Sequence, residues 1–149
     1  MNINDYLIEQ PGKNWGRFLH DWMPPLPSKF TLWLVNRLGD AFIVAEDRTI
    51  LRLHVGFGTC SEVAKTREHF AQLVQIPRYA DEWLRISLIN ACRRVGMLLT
   101  DDQCYGFKLP PTLGGQYEPA NLIPTRLAVH YSYQAYICKQ TDVYWIPPS

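Results

Sequence analysis

The stretch AFIVAEDRTILRLHV, residues 41–55, decides the fold class, because it contains two β-rich runs separated by a polar turn. Residues 41–45 and 49–55 are rich in branched and aromatic side chains, which favour strands. Glu46, Asp47 and Arg48 lie between the runs and are typical of a turn. The stretch therefore predicts a β-hairpin, whose two strands pair antiparallel.

A short helix and an ambiguous apolar segment precede this hairpin. Residues 14–22 show the i, i+3, i+4, i+7 apolar spacing of an amphipathic helix. The residues at that spacing are Trp15, Phe18, Leu19 and Trp22. A proline-rich segment, residues 24–27, is expected to end this helix. Residues 30–38 are apolar, and Gly39 follows them in a C-cap position, so we predict a second helix, with a strand as the alternative.

Two further helices are predicted after the hairpin. Thr59 and Glu62 have the spacing of a capping box, which indicates a helix N-terminus, and Pro77 is expected to end that helix. Asp81 is expected to cap the following helix, which carries an apolar stripe on one face. The stripe consists of Leu84, Leu88, Cys92 and Val95.

The last third of the chain predicts a strand, a loop, a helix and a short final strand. Residues 104–109 are strand-like, whereas residues 127–140 fit both the alternation of a strand and one face of a helix. The alternation consists of Leu127, Val129, Tyr131 and Tyr133, and the helix face of Val129, Tyr133, Tyr136, Ile137 and Gln140. We choose the helix, partly on the family resemblance given below. Asp142–Ile146 is predicted as an edge strand. Hairpin strands with segregated helices predict a single α+β domain over residues 1–149, with a mainly antiparallel sheet.

Composition and charge exclude several classes of protein. The chain has 15 Lys and Arg against 14 Asp and Glu, and this net charge of +1 argues against direct nucleic-acid binding, which needs a basic surplus. The sequence contains neither a secretory signal nor a run of 18 apolar residues, so we expect no membrane association. The four cysteines form no CxxC pair, which favours buried, reduced thiols in the cytoplasm.

Motifs for catalysis and cofactor binding are incomplete or missing. Gly56 and Gly58 are half of a dinucleotide fingerprint, but Ser61 stands where its third glycine belongs. The sequence has no phosphate-binding P-loop, no GxSxG nucleophile elbow and no HExxH zinc motif. We therefore predict a protein that is not an enzyme and that uses no cofactor and no metal ion.

A specific block of sequence carries a family resemblance. The block CYGFKLPPTLGGQYEPANL, residues 104–122, followed by Val129 and His130, resembles a bacterial family with the pattern GFK-P-LGG-Y---N and a later VH. This family is named after the C-terminal domain of a type VI secretion immunity protein. The segments WLVNRLGD, residues 33–40, and LHVG, residues 53–56, resemble its earlier strands, so the resemblance spans residues 15–140.

The block itself favours a structural reading, because it builds a shaped loop and contains no nucleophile. The paired glycines permit backbone conformations closed to other residues, and the prolines stiffen the preceding segment. Asparagine can bridge a turn through its side chain. The residues to which we assign this structural role are Gly106, Pro110, Gly114, Gly115, Asn121 and His130.

The resemblance implies an immunity-like protein that binds and neutralises a cognate bacterial toxin by occlusion, with a nuclease effector as the first candidate. The toxin could be encoded by an adjacent gene. Interfaces of this kind use aromatic anchors and a polar rim, and acidic side chains suit a basic toxin. The candidate partner-binding residues are Tyr105, Tyr117, Tyr131, Asp101, Asp102 and Glu118. The alternative is a small-ligand or regulatory binding module with a pocket near the paired glycines.

Overall fold

The hairpin predicted from residues 41–55 forms the centre of a four-stranded antiparallel sheet in the computed structural model, which describes residues 2–141. The strands follow one another in chain order across this sheet. They are β1 (Phe30–Val35), β2 (Ala41–Ala45), β3 (Ile50–His54) and β4 (Thr59–Ala64). The predicted α+β class with a mainly antiparallel sheet is confirmed.

The predicted helix over residues 30–38 is wrong, and the alternative, a strand, is right. Residues 30–35 form β1 because their apolar side chains pair with β2, where Phe30 lies opposite Ala45 and Val35 opposite Ala41. Gly39 belongs to the β1–β2 turn rather than to a helix C-cap, and its φ of +89° is the left-handed conformation that glycine adopts readily.

The predicted helix start at Thr59 and Glu62 is also wrong, because the apparent capping box lies in a strand. Both residues belong to β4, where Thr59 pairs with His54 and Glu62 with Leu51 of β3. The first helix of the chain is α1 (Trp15–His20). The helix predicted to begin at Thr59 begins instead at Arg67, after β4, and is α2 (Arg67–Leu73). Its N-cap is Thr66, whose hydroxyl accepts the amide of His69 at 3.0 Å.

Two helices occupy the region where one was predicted. Pro77 begins α3 (Pro77–Leu84) instead of ending a helix, as suits its missing amide hydrogen. Arg85 then adopts a left-handed backbone, with φ of +54°, and separates α3 from α4 (Ile86–Arg94). Asp81 therefore lies inside α3, but its carboxylate accepts the amide of Ser87 at 2.7 Å in the first turn of α4.

The last third contains a second, two-stranded antiparallel sheet and the longest helix. These elements are β5 (Gln103–Phe107), β6 (Leu122–Arg126) and α5 (Leu127–Thr141). The choice of a helix for residues 127–140 is confirmed. The strand predicted over Asp142–Ile146 lies outside the described residues. No helix within residues 2–141 is long and apolar enough to cross a bilayer.

The core consists of three apolar clusters that lie between the sheets and the helices. One packs α5 against β2 and β3 around Trp22, whose indole nitrogen donates to the carbonyl of Tyr131 at 3.1 Å. A second surrounds Tyr105 on β5 and Ile89 on α4. In the third, the rings of Phe70 and Trp83 stack at 4.8 Å between the four-stranded sheet and α2 and α3.

Candidate functional site

Two of the tyrosines predicted to contact a partner lie inside the protein. Tyr105 and Tyr131 are each 1% exposed. The hydroxyl of Tyr105 donates to the carbonyl of Met97, and that of Tyr131 donates to the carbonyl of Gly39 at 2.6 Å. Neither ring is accessible to a partner in this conformation, because each ring is packed inside an apolar cluster of the core.

The three predicted acidic residues are exposed, but they differ in their charge partners. Asp101 lies 3.3 Å from the ammonium group of Lys13, and Asp102 lies 3.9 Å from the guanidinium of Arg126. Glu118 has no ion pair within the described part of the chain and stands next to the groove described below. The paired aspartates are therefore partly neutralised by the chain itself.

The glycine- and proline-rich block folds into a loop held by the side chain of Asn121. The amide nitrogen of Asn121 donates to the carbonyls of Leu109 and Gln116, both at 2.9 Å. Its amide oxygen accepts the backbone N–H of Leu109, also at 2.9 Å. A Cβ at Gly115 would lie 1.7 Å from the carbonyl oxygen of Leu109, so this position has room only for glycine. Pro110 accepts the amide of Gly115 at 3.0 Å, and Gly114 adopts φ of +100°.

His130 connects α5 to both sheets from a buried position. Its Nε2 lies 2.8 Å from the carbonyl of Leu38 and therefore carries the proton that it donates. A Cβ at Gly106 on β5 would lie 3.3 Å from Nδ1, so the glycine allows close packing of the imidazole. Burial lowers the pKa of His130 to about 4, which keeps the ring neutral at pH 7. In this structure the imidazole is a buried hydrogen-bond donor to Leu38 that packs against Gly106.

A buried ion pair joins Arg52 of β3 to Asp40, the residue before β2. The guanidinium of Arg52 donates to Asp40 at 2.8 Å and to Glu82 on α3 at 2.9 Å. The other carboxylate oxygen of Asp40 accepts the amide of Val55 at 3.1 Å. Burial by itself would raise the pKa of Asp40, but the surrounding positive charges, that of Arg52 first, and the hydrogen bond from Arg52 together outweigh it and hold that pKa well below its usual range.

Next to this pair, His54, Arg85 and Tyr117 form a second polar cluster. His54 Nε2 lies 3.0 Å from the Tyr117 hydroxyl and 3.4 Å from a terminal nitrogen of Arg85. Arg85 can only donate, so Nε2 is the acceptor in that contact and the imidazole is neutral in this arrangement. Burial lowers the pKa of His54 and favours the same neutral form. The guanidinium carbon of Arg85 lies 4.2 Å from the centre of the Tyr117 ring.

The predicted residues Tyr117 and Glu118 border a groove of about 500 Å³, which we call the Arg85 groove. It lies between α3, α4 and residues 117–119, and its polar lining residues are Arg78, Asp81, Glu82, Arg85, Ser87 and Glu118. The sequence indicated Tyr117 and Glu118 as candidates but not Arg85. Local sequence patterns could not indicate Arg85, because this residue comes next to Tyr117 and Glu118 only in the tertiary structure.

A larger groove of about 910 Å³ lies between α1 and α5, and we call its lining the α1–α5 face. Val129, Tyr133 and Tyr136 line it at i, i+4 and i+7 on α5, where the two tyrosines are 45% and 61% exposed. Phe18 of α1 lines the same groove, and its ring stacks on Tyr131 at 5.9 Å. The helical period of residues 127–140 predicted one face for these α5 residues, but they were not among the predicted partner residues.

The described cysteines have thiols whose pKa is raised by burial. Burial raises the pKa of both Cys60 and Cys138 to about 11, and it raises that of Cys104 further, so these thiols stay protonated at pH 7. Among residues 2–141, no group of three or more His, Cys, Asp and Glu side chains is arranged to hold a metal ion. What these residues offer instead is two grooves and a polar cluster.

Comparison with known proteins supports the resemblance seen in the sequence. The family model described as "T6SS immunity protein Tdi1, C-terminal" matches residues 64–136, which run from the end of β4 to the exposed Tyr136 of α5. The predicted family is therefore confirmed over these residues, and it suggests an immunity role. A search of curated proteins found no match to the chain.

Proposed function

We propose that this protein is an immunity protein that binds a cognate bacterial toxin and neutralises it by covering the toxin's active site or substrate groove, without chemistry of its own. The observation that carries this proposal is the family match over residues 64–136. The protonated thiols and the structural role of His130 support a binding function, because neither supplies a nucleophile or a base.

We assign the main contact with the toxin to the α1–α5 face. Tyr133 and Tyr136 are large, amphipathic and exposed, and such side chains dominate the binding energy of protein interfaces. Arg17 and Asp21 of the same groove supply a polar rim of both charges. These exposed residues replace Tyr105 and Tyr131, which are buried, as the proposed aromatic anchors.

The acidic candidates remain part of the proposal as a secondary contact. Nuclease toxins carry basic surfaces that bind phosphates, and such surfaces are attracted to carboxylates. Glu118 is the strongest candidate, since Asp101 and Asp102 already face Lys13 and Arg126. For exposed charges we expect an effect on the association rate more than on the dissociation rate.

Co-expression with the product of the adjacent gene tests the proposal. We expect the chain to restore growth of cells that express the toxin and to co-purify with it. The double variant Tyr133→Ala/Tyr136→Ala should weaken binding about 30-fold or more, the loss expected for hot-spot residues. Leu98→Ala is the matched control, because Leu98 is exposed and apolar but lies outside this face.

Two results would contradict the proposal at different levels. A neighbouring product that is harmless, or whose toxicity the chain does not relieve, would argue against immunity. Rescue that survives loss of both tyrosines would retain immunity but move the interface away from the α1–α5 face. Circular dichroism of the double variant separates lost binding from lost folding, because both side chains are exposed.

A further inference from the structure

The Arg85 groove presents hydrogen-bond donors that the chain itself leaves unused. We infer that it binds a small oxyanion, a carboxylate or a phosphate group, between Arg78 and Arg85 of α3 and the α3–α4 junction. This site lies apart from the α1–α5 face, and the inference does not depend on toxin binding.

Within residues 2–141, Arg85 forms no direct ion pair with a carboxylate, although its charge acts on the buried Asp40 and on Glu82. Its Nε is closed to solvent and meets no hydrogen-bond acceptor within residues 2–141, so only the terminal nitrogens can face a ligand in the groove. One terminal nitrogen lies 3.4 Å from His54 Nε2. Its contact with the Tyr117 ring fixes the plane of the guanidinium. A planar guanidinium held in one orientation is suited to paired hydrogen bonds with a carboxylate or phosphate.

Arg78 adds a second unpaired cation to the same groove. Its guanidinium donates to the Tyr79 hydroxyl at 3.2 Å and lies 4.8 Å from the centre of that ring. Within the described part of the chain it forms no ion pair with Asp or Glu. Two guanidinium groups that line one groove, each held by an aromatic ring, leave their remaining N–H donors for an external acceptor.

Two of the acidic residues in the groove are already engaged in hydrogen bonds. Glu82 accepts from Arg52 at 2.9 Å, and Asp81 accepts from the Ser87 amide at 2.7 Å. The groove therefore has unused donors on the arginines, while these carboxylates have internal partners. Glu118, the third carboxylate of the lining, has no ion pair within residues 2–141 and opposes an anion, so the inference rests on the two guanidinium groups and not on the overall charge of the groove.

The N-terminus of α4 also favours an anion in the Arg85 groove. Arg85 is the N-cap residue of α4, a helix of nine residues, and the N-terminus of a helix attracts negative charge. Its own side chain makes no capping hydrogen bond to the helix. An anion beside Arg85 would therefore interact favourably with the helix dipole as well as with the guanidinium.

NMR titration of the isolated full chain with inorganic phosphate tests the inference, with sodium acetate as a second arm and sodium chloride to keep the ionic strength constant. The reporters are the Nε–H signal of Arg85 and the backbone amides of Ile86 and Leu88. We expect a saturable shift of these signals with at least one of the two anions. Phosphate saturation alone indicates a phosphate ester as the natural ligand, and acetate saturation alone indicates a carboxylate.

Three substitutions in the groove and one control outside it make the result specific. Arg85→Gln and Arg78→Gln should each weaken binding about ten-fold or more, the loss expected for a charge-assisted hydrogen bond. Arg78 is exposed, so its variant keeps the test valid if Arg85→Gln unfolds. Glu118→Gln should tighten binding about two- to three-fold, because it removes a nearby negative charge across a water-like dielectric. Arg94→Gln, the matched control, removes an exposed positive charge outside the groove and should leave binding unchanged.

The inference is overturned if neither anion gives a saturable shift, or if saturation is the same in the Arg78→Gln variant as in the unaltered chain. Weaker anion binding in Glu118→Gln would equally overturn it, since that would indicate a cation in the groove. None of these outcomes bears on toxin neutralisation, which the growth assay measures separately.

Discussion

Replacing Arg52 with leucine removes the cation that allows Asp40 to be buried as a carboxylate. Arg52 lies 2.8 Å from Asp40 inside the protein and 2.9 Å from Glu82 at its edge. The variant keeps an apolar side chain of similar bulk on β3, so the lost charge, not a cavity, dominates the effect. Asp40 would then keep the amide of Val55 and the amide nitrogen of Asn36 but no positive partner in contact.

The magnitude follows from the burial of the two partners. Removing one partner of a buried ion pair costs about 3–5 kcal/mol, because the remaining charge loses its compensation. Asp40 is 2% exposed and incurs this cost, whereas the side chain of Glu82 is 52% exposed and is rehydrated at little cost. We therefore expect Arg52→Leu to lower the free energy of unfolding at pH 7 by about 3–5 kcal/mol.

Urea denaturation at pH 7 and pH 5 measures this effect and its cause. Arg52 holds the pKa of Asp40 low, so in the unaltered chain Asp40 stays ionised across this range, and its stabilising effect is lost only as pH falls below the carboxyl's ordinary pKa. In the variant, burial raises the pKa of Asp40, and protonation at pH 5 relieves the penalty. The difference between the two proteins should therefore be smaller at pH 5 than at pH 7.

Two further variants complete the experiment. Asp40→Asn combined with Arg52→Leu should be more stable than Arg52→Leu alone, because no uncompensated charge stays buried. Arg126→Leu, which breaks the exposed pair with Asp102, should leave stability nearly unchanged. A loss below about 1 kcal/mol for Arg52→Leu, equal at both pH values, would refute the reasoning that Arg52 compensates the buried charge of Asp40.

The remaining predictions concern the buried histidine and the glycine loop. The pKa of His130 is about 4 in the folded chain and near 6.5 when unfolded, so stability should fall by about 3 kcal/mol as pH drops from 6.5 to 4, and the same urea series on His130→Gln should show a flatter profile. A profile as steep in the variant would assign the effect to other groups. Gly115→Ala places a Cβ against the carbonyl of Leu109 and should lower the melting temperature by several degrees, whereas Gly16→Ala on α1, whose Cβ would meet only the side-chain oxygen of Asn14 at an ordinary 3.8 Å, should leave it equal or higher. Equal melting temperatures for both variants would contradict the tight loop.

Local sequence signals predicted those elements whose neighbours in space are also neighbours in sequence. The β2–β3 hairpin is one such element, because its turn residues and branched side chains all lie within residues 41–55. The apolar period of α1 is equally local. β1 and β4 were mispredicted because pairing with β2 and β3 outweighed the signals of Gly39 and of Thr59 with Glu62. Helix propensity and capping spacing are weak compared with a complete set of strand hydrogen bonds.

The candidate site was less predictable because exposure depends on tertiary structure. Tyr105 and Tyr131 have the chemistry of interface anchors, but Tyr105 faces α4 and Tyr131 packs on α1, so both are buried. The helix period did place Tyr133 and Tyr136 on one face, and only packing shows that this face is open. The Arg85 groove has no sequence signature, because its two arginines meet residues 117–119 more than 30 positions away.

The most direct test of the proposed neutralisation by binding is a titration of purified toxin activity with this chain. Occlusion predicts that inhibition is complete when the two proteins are present in equal amounts, that it does not increase with incubation time, and that active toxin is recovered when the complex is dissociated. Substoichiometric inhibition that grows with time and leaves a permanently altered toxin would contradict the account, because it would show that the chain is an enzyme.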